Sequence, residues 1–426
     1  MNIPKAILKK ISKEEGIPLG QLEAFITSGR VTIAKNRKTK NKKFCGIGKS
    51  LSTKVNANIG TSSEKHDLKE ELKKLKVATE AGADTVMDLS TGGDLRKIRK
   101  EIIAHSSVPV GTVPIYEAAI KAATKYGTIT KMDKNLILDT IEQQAIDGVD
   151  FMTIHSGVTE KGLAAIKKDG RVTNIVSRGG SFLAVWMVSN KKENPLCDSF
   201  DEVVKIAKKY NVTLSLGDGL RPGSIADSTD RAQLEELTTM AKQANYAVEN
   251  GVSVFIEGPG HIPIDEIEIN VKMAKNLCGD LPLYLLGPLV TDVAPGYDHI
   301  TAAIGGAIAA SFGADFLCFV TPAEHLKLPG VRDIREGVIA ARIAAHVGDI
   351  AKGVKGAKNW DNEISKYRNL RNWKKQELLS IDPARFREYR QDKSVISDTC
   401  TMCGKYCALK MVEKLWRKTK NRRKKN

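Results

Sequence analysis

A chain of 426 residues, 42% hydrophobic and with a formal net charge of +17, is too long for one average domain. It can bury a large core, which excludes a mostly disordered protein. Seven cysteines, three of them crowded near the C-terminus, and a start with no apolar h-region exclude a secreted disulfide scaffold and predict a soluble protein of a reducing compartment, the cytoplasm.

Residues 1–60 read as a lead-in, a small helical segment and then an extended basic stretch. Residues 61–355 read as a barrel, and 356–426 as a small helical module with a cysteine motif and a basic tail. From about Asp84, β-branched runs alternate with amphipathic helical segments. The predicted strands are Thr85–Leu89, Val108–Ile115, Phe151–His155, Arg171–Val176, Thr213–Gly217, Ser253–Glu257, Leu281–Leu286 and Phe316–Thr321. Leu183–Val188 competes with Arg171–Val176 for the fourth place. Helices are predicted at Leu95–His105, Lys134–Ile146, Asp201–Lys209, Arg231–Glu249, Asp265–Leu277, Ile300–Ser311 and Arg332–His346, and beyond the barrel at Trp360–Leu378 and Ala384–Gln391. Strands alternating with helices predict a parallel sheet, and eight such units predict a closed (β/α)8 barrel of the α/β class. The alternative is an open doubly wound sheet, but no strand is followed by G-x-G-x-x-G. No apolar run is long enough to span a bilayer, so no membrane partner is expected. The basic runs Lys35–Lys43 and Arg417–Lys425 lack interleaved aromatic residues, so they read as solvated segments and nucleic acid is not expected as a partner.

Active sites of such barrels lie at the C-terminal ends of the strands. Here the predicted strands run into Met87–Asp94, Tyr116-Glu117, His155-Ser156-Gly157, Ser177-Arg178-Gly179-Gly180, Asp218-Gly219-Leu220-Arg221, Glu257–His261, Tyr284 and Thr321–His325. One polar residue in a turn is ordinary, whereas eight polar strand ends predict a shared site. Arg178 and Arg221, each near glycines, suit an anion, because guanidinium presents a rigid fork of donors and glycine lets backbone N–H groups approach. A surface ion pair is the ordinary alternative for each. His261 and His325 are a candidate metal pair that water or substrate would complete, with buried, hydrogen-bonded histidine as the alternative. His66, His105, His299 and His346 lie on or beside helices and read as structural.

Cys400, Cys403 and Cys407 form C-x2-C-x3-C, and thiolates so spaced wrap one soft metal centre. Three ligands leave one iron of a [4Fe–4S] cluster open, which is what S-adenosylmethionine needs in order to bind. A zinc ribbon would need a fourth ligand nearby, and none follows.

These motifs resemble the phosphomethylpyrimidine synthase family, radical S-adenosylmethionine enzymes that make the thiamine pyrimidine. The resemblance runs from about Val55 to Cys407 through Asn56–Gly60, Met87–Asp94, Ser177–Gly180, Asp218–Asp227, Glu257–Pro263, Thr291–His299, Thr321–His325 and the cysteines. It implies a lyase that converts 5-aminoimidazole ribotide to 4-amino-5-hydroxymethyl-2-methylpyrimidine phosphate, releasing 5′-deoxyadenosine, methionine, formate and carbon monoxide. It also implies a homodimer and an external electron donor. Carried over by motif, the substrate contacts are Asn58, Met87, Tyr116, His155, Ser177, Arg178, Gly179, Asp218, Gly219, Leu220, Arg221, Glu257 and Tyr284. His261 and His325 would hold zinc or a similar divalent metal, and Cys400, Cys403 and Cys407 the cluster. The cysteine spacing is one residue shorter than the family's C-x2-C-x4-C, and the chain looks like a short form. 5-Hydroxybenzimidazole synthase, acting on the same ribotide, is a near alternative. A basic nucleic-acid-binding protein with a structural zinc is an alternative of another class.

Overall fold

The structure, a computed structural model, describes residues 3–39, 43–390 and 399–423. Parts of both basic runs, residues 40–42 and 424–426, lie outside the described residues, as does Gln391 at the end of the last helix predicted. The chain divides into two compact units, Met1–Lys355 and Gly356–Asn426.

The first unit is a closed barrel of eight parallel strands: β1 Lys54–Ile59, β2 Thr85–Asp88, β3 Val110–Thr112, β4 Phe151–Ile154, β5 Thr213–Leu216, β6 Val254–Gly258, β7 Leu283–Leu286 and β8 Phe316–Cys318. Neighbours in sequence are neighbours in the sheet, and β8 closes on β1 with Phe316, Leu317 and Cys318 opposite Lys54, Val55 and Asn56. The α/β class and the barrel predicted from the sequence are what the chain adopts. Acidic N-caps start several outer helices, as where Asp94 accepts from Lys97 N before Leu95–His105 and Asp230 accepts from Gln233 N before Arg231–Glu249.

Alternation along each strand sorts the barrel interior into layers. Low in the barrel Phe151, Phe255 and Phe316 are fully buried, with ring centres 5.9, 5.5 and 6.5 Å apart, and Tyr284 stacks on Phe316 at 4.2 Å. Gly111 makes room for this plug, since a Cβ there would collide with the Phe151 ring. The next inward residues up the strands are Asn58, Met87, Thr153, Glu257 and Cys318, so the plug is the floor of a polar chamber.

Two strand assignments are corrected. Lys54–Ile59, placed in the lead-in, is the first barrel strand. Its inward residues are polar, and Lys54 is buried at 2.9 Å from Glu15. Arg171–Val176, predicted as the fourth strand, pairs with no strand. The Asp227 carboxylate accepts from the backbone N–H groups of Val172 and Thr173, the Arg171 guanidinium donates to Leu220 O and Asp230, and Val172 is 72% exposed. The competing run Leu183–Val188 lies inside the helix Arg178–Asn190.

The segment before the barrel forms helices Lys5–Glu15 and Leu19–Thr27 and a hairpin pairing Val31–Ile33 with Gly46–Gly48. It covers the N-terminal ends of the strands: Thr32 Oγ1 donates to Val254 O, and Asn36 Nδ2 to Ala145 O and Val149 O. The second unit is helical, with Ala357–Asn369, Trp373–Leu379, Pro383–Arg390 and Ala408–Arg423. The single helix predicted over Trp360–Leu378 is broken where Arg371 takes φ 55° and Asn372 caps the next helix by accepting from Lys375 N. Among the described residues no helix is long and apolar enough to cross a membrane.

Phe255→Ala opens a cavity in the plug and should destabilise the barrel by about 3–5 kcal/mol. A denaturant unfolding curve checks this, and an unchanged midpoint would show that the plug is not what supports the barrel.

Candidate active site

All eight strands, or the residues that follow them, contribute to one cavity of about 90 Å³ at the C-terminal ends. It brings together eight of the thirteen substrate contacts expected from the sequence: Asn58, Met87, Tyr116, His155, Asp218, Arg221, Glu257 and Tyr284. The other five surround it without lining it. Ser177 caps the helix Arg178–Asn190 by accepting from Gly180 N, and the exposed Arg178 guanidinium lies 5.1 Å from the Tyr116 ring centre. A Cβ on Gly179 would collide with the His155 imidazole, and one on Gly180 with the Gly219 carbonyl. Leu220 is buried, and its N–H donates to Glu236 Oε2 at 2.8 Å. In this structure Gly180 and Gly219 let two loops pack closely on each other, and Gly179 makes room for the His155 ring.

The chamber floor is a hydrogen-bonded chain. Thr85 Oγ1 donates to Asn56 Oδ1 at 2.7 Å, Asn56 Nδ2 donates to Asn58 Oδ1 and to the Tyr284 hydroxyl at 2.8 Å each, and Asn58 Nδ2 donates to Cys318 Sγ at 3.1 Å. Each amide orientation is therefore determined by its neighbour. Burial pushes the Cys318 thiol up to about 11 and the Tyr284 phenol well above its usual range, so both stay protonated. On the wall Thr153 Oγ1 and Ser215 Oγ both donate to Glu257 Oε1, at 2.8 and 2.6 Å.

Arg221 Nη1 donates to Asp218 Oδ1 at 3.0 Å. Burial raises the Asp218 carboxyl to about 8, with Glu257 adding to the rise and Arg221 opposing it. Burial also pushes Glu236 well above the carboxylate range, with Asp218 adding to it. Two neighbouring carboxyls are thus able to hold protons near neutral pH. His155 is driven down to about 3 by burial and then by Arg221, and its buried Nδ1 has no hydrogen-bond partner.

The His261 and His325 rings stand 5.5 Å apart, centre to centre, at 52°. Two imidazoles sharing one tetrahedral zinc, with Zn–N about 2.0–2.1 Å, have centres roughly 5 Å apart, so the pair fits one ion. His261 Nδ1 lies 2.7 Å from Asp292 Oδ1, and His325 Nδ1 lies 3.2 Å from Asp298 Oδ1. Burial lowers the His261 pKa while Asp292 opposes the shift. In the second unit Gly404 N donates to Cys400 O, and Tyr406 N to Cys403 O, folding the cysteine motif into tight turns. Backbone N–H groups of Cys403 and then Met402 lower the Cys400 thiol below its ordinary value. Three thiols within eight residues suit a soft iron–sulfur centre. Among the described residues no group of three or more His, Cys, Asp or Glu side chains stands in metal-holding geometry.

Sequence reasoning missed Cys318, Thr153 and Ser215, and it gave no individual role to Asn56, Asp292, Asp298 and Glu324, although all four lie in motifs it singles out. Glu324 is half-buried, desolvation raises its pKa, and it feels both His325 and Arg221. Cys318 is one of four scattered cysteines, and only its place inside the predicted strand Phe316–Thr321, two residues after Phe316, could have flagged it.

The model of the Radical SAM ThiC family matches residues 2–414. A protein of Thermoanaerobacter sp. (strain X514), named phosphomethylpyrimidine synthase, is 54% identical over 95% of this chain and 94% of its own length. A protein of the same name from Caldanaerobacter subterraneus subsp. tengcongensis is 55% identical over the same shares, and one from Moorella thermoacetica is 51% identical. Among solved structures, a dihydropteroate synthase from Coxiella burnetii superposes with a TM-score of 0.43 at 11% identity, covering 75% of this chain and 99% of that one.

The state of His155 sets a pH dependence of stability. Its folded pKa of about 3 lies below the ordinary 6.5, so as pH falls below 6.5 the unfolded chain takes up a proton that the native site refuses. Stability is lost progressively as pH falls, by up to about 1.4 kcal/mol per pH unit. Denaturant unfolding from pH 7 to 5 should show His155→Gln lacking this component, and equal slopes in both proteins would contradict it.

Proposed function

This chain belongs to the radical SAM ThiC family, and we propose that it converts 5-aminoimidazole ribotide to 4-amino-5-hydroxymethyl-2-methylpyrimidine phosphate for thiamine, releasing 5′-deoxyadenosine, methionine, formate and carbon monoxide. The observation that carries the reading is the cavity itself, in which every barrel strand, or the stretch that follows it, delivers a side chain to one chamber. The reading includes a cytoplasmic homodimer supplied by an external electron donor.

Cys400, Cys403 and Cys407 hold a [4Fe–4S] cluster, which when bound supplies the electron for reductive cleavage of S-adenosylmethionine. His261 and His325 hold zinc or a similar divalent ion, whose contribution is to orient or polarise a ligand. The chain's own residues do the rest. Arg221, with Arg178 at the rim, binds the ribotide phosphate, since guanidinium gives paired donors to phosphate oxygens. The neutral His155 lines the chamber with its ring, backed by Gly179. Asp218 and Glu236 stand where protons can be held close to the imidazole being rearranged. Asn58, held by Asn56, and Tyr284 line the floor, while Met87 and Tyr116 provide apolar faces and Glu257, held by Thr153 and Ser215, a fixed carboxylate. Ser177, Gly179, Gly219 and Leu220 shape the two loops against His155.

Mass spectrometry of the products after anaerobic reconstitution with iron and sulfide, then reaction with ribotide, S-adenosylmethionine and reductant, tests the reading. The expected product is the pyrimidine phosphate, and 5-hydroxybenzimidazole in its place would replace the reading. Cys400→Ala, Cys403→Ala or Cys407→Ala should each abolish cleavage of S-adenosylmethionine, and full iron and sulfide in the triple variant would place the cluster elsewhere.

Arg178→Ala and Arg221→Ala should each weaken ribotide binding by about 1.5–3 kcal/mol. Calorimetric titration measures this, and unchanged affinity in the double variant would remove the phosphate assignment.

A further inference from the structure

Thr291–His299 stands out in the sequence, yet none of its side chains enters the chemistry described above. It leaves β7 and leads into the helix Asp298–Phe312, between the loop after β6 that carries His261 and the loop after β8 that carries His325. It holds two carboxylates, and each meets one of those histidines, Asp292 Oδ1 at 2.7 Å from His261 Nδ1 and Asp298 Oδ1 at 3.2 Å from His325 Nδ1.

Both carboxylates are themselves fixed. The second oxygen of Asp292 accepts from Ile225 N at 2.9 Å, and that of Asp298 accepts from Gly296 N at 3.1 Å. The His261 loop is also tied to this segment by backbone, since Leu289 N donates to Gly260 O and Ile262 N to Leu289 O. A carboxylate oxygen is an acceptor, so a ring nitrogen bonded to it carries the proton. Each Nδ1 is then the N–H edge, and each Nε2 keeps its lone pair free. His325 needs such restraint, because its side chain is 52% exposed and its backbone sits at φ 62°, unusual for a non-glycine residue.

We infer that Asp292 and Asp298 are positioning residues that hold His261 and His325 as Nε2 donors to one divalent ion, so that the segment after β7 is the common scaffold of that centre. The inference rests on the reading that the two histidines bind metal. Partners of this kind fix ring orientation and raise ligand basicity, and their loss typically costs 10–100-fold in metal affinity. Asp292 also joins the metal centre to the loop after β5 that carries Arg221, through Ile225 N.

The test uses full-length protein with Cys400, Cys403 and Cys407 replaced by Ala, so that their thiols do not compete for zinc. Zinc affinity is measured against a chelator, and the ligand-field spectrum of bound cobalt(II) is recorded. D292A and D298A should each weaken zinc binding on the order of 10–100-fold and change the cobalt spectrum. D292N and D298N keep an acceptor oxygen without the charge, so they should recover part of the affinity and guard against loss by misfolding. Wild-type zinc affinity in the four Asp variants, with H261A and H325A losing the metal, would overturn the inference and leave the metal reading standing. Unchanged zinc binding in H261A and H325A would overturn both.

Discussion

The pairing of β8 with β1 is the constraint on which the site depends. A parallel sheet left open there would expose two edges and splay its strand ends, whereas closure removes the edges and turns all eight C-terminal ends to one rim. It also joins Asn56 and Asn58 of β1 to Tyr284 of β7 and Cys318 of β8. The hydrogen bonds that order the chamber floor therefore span the seam of the barrel. What looks like a structural requirement, the last strand finding the first, is also what places the floor of the site.

Below that seam the barrel is dry, filled by Phe151, Phe255 and Phe316, and above it the interior is polar but still largely shielded from water. Desolvation penalises charge of either sign, which explains why His155 moves down while Asp218 and Glu236 move up. All three shifts favour the neutral form. Arg221 is the exception, kept charged beside Asp218. The shifts of Asp218, Glu236 and His155 toward their neutral forms leave the Arg221 guanidinium beside the Glu257 carboxylate as the charges an anionic ligand would meet.

Much of this was legible in the sequence, because seven of the barrel strands are apolar runs of ordinary length, followed by polar residues on the side where such barrels carry chemistry. The strand that escaped, Lys54–Ile59, turns Asn56 and Asn58 into the barrel, so the usual equation of inward with apolar fails where a strand lines a polar chamber. The false strand, Arg171–Val176, has β-branched spacing, but side chains from distant positions, Asp227 and Asp230, hold its backbone and its Arg171. No local pattern reports such pairing. Asp292 and Asp298 lie in a motif the sequence shows, but their role is not legible there for a related reason: a carboxylate in a loop has no periodicity, and its meaning depends on which imidazole it faces.

The glycines show how a correct motif can carry a different physical reason. Glycine beside Arg178 and Arg221 suggests backbone N–H groups approaching an anion. In the structure the bare Cα of Gly179 lies against the His155 ring, Gly217 faces the other side of that region with Thr153, and Gly180 meets the Gly219 carbonyl. A methyl group at Gly180 would force the loops after β4 and β5 apart, and one at Gly179 would push its own segment off the His155 ring. His155 would then lose the wall that keeps its unpaired Nδ1 buried, and Arg178 and Arg221, which stand on those two loops, would move with them. Glycine here sets the distance between two loops, and that distance determines how the imidazole and the two guanidinium groups stand relative to one another.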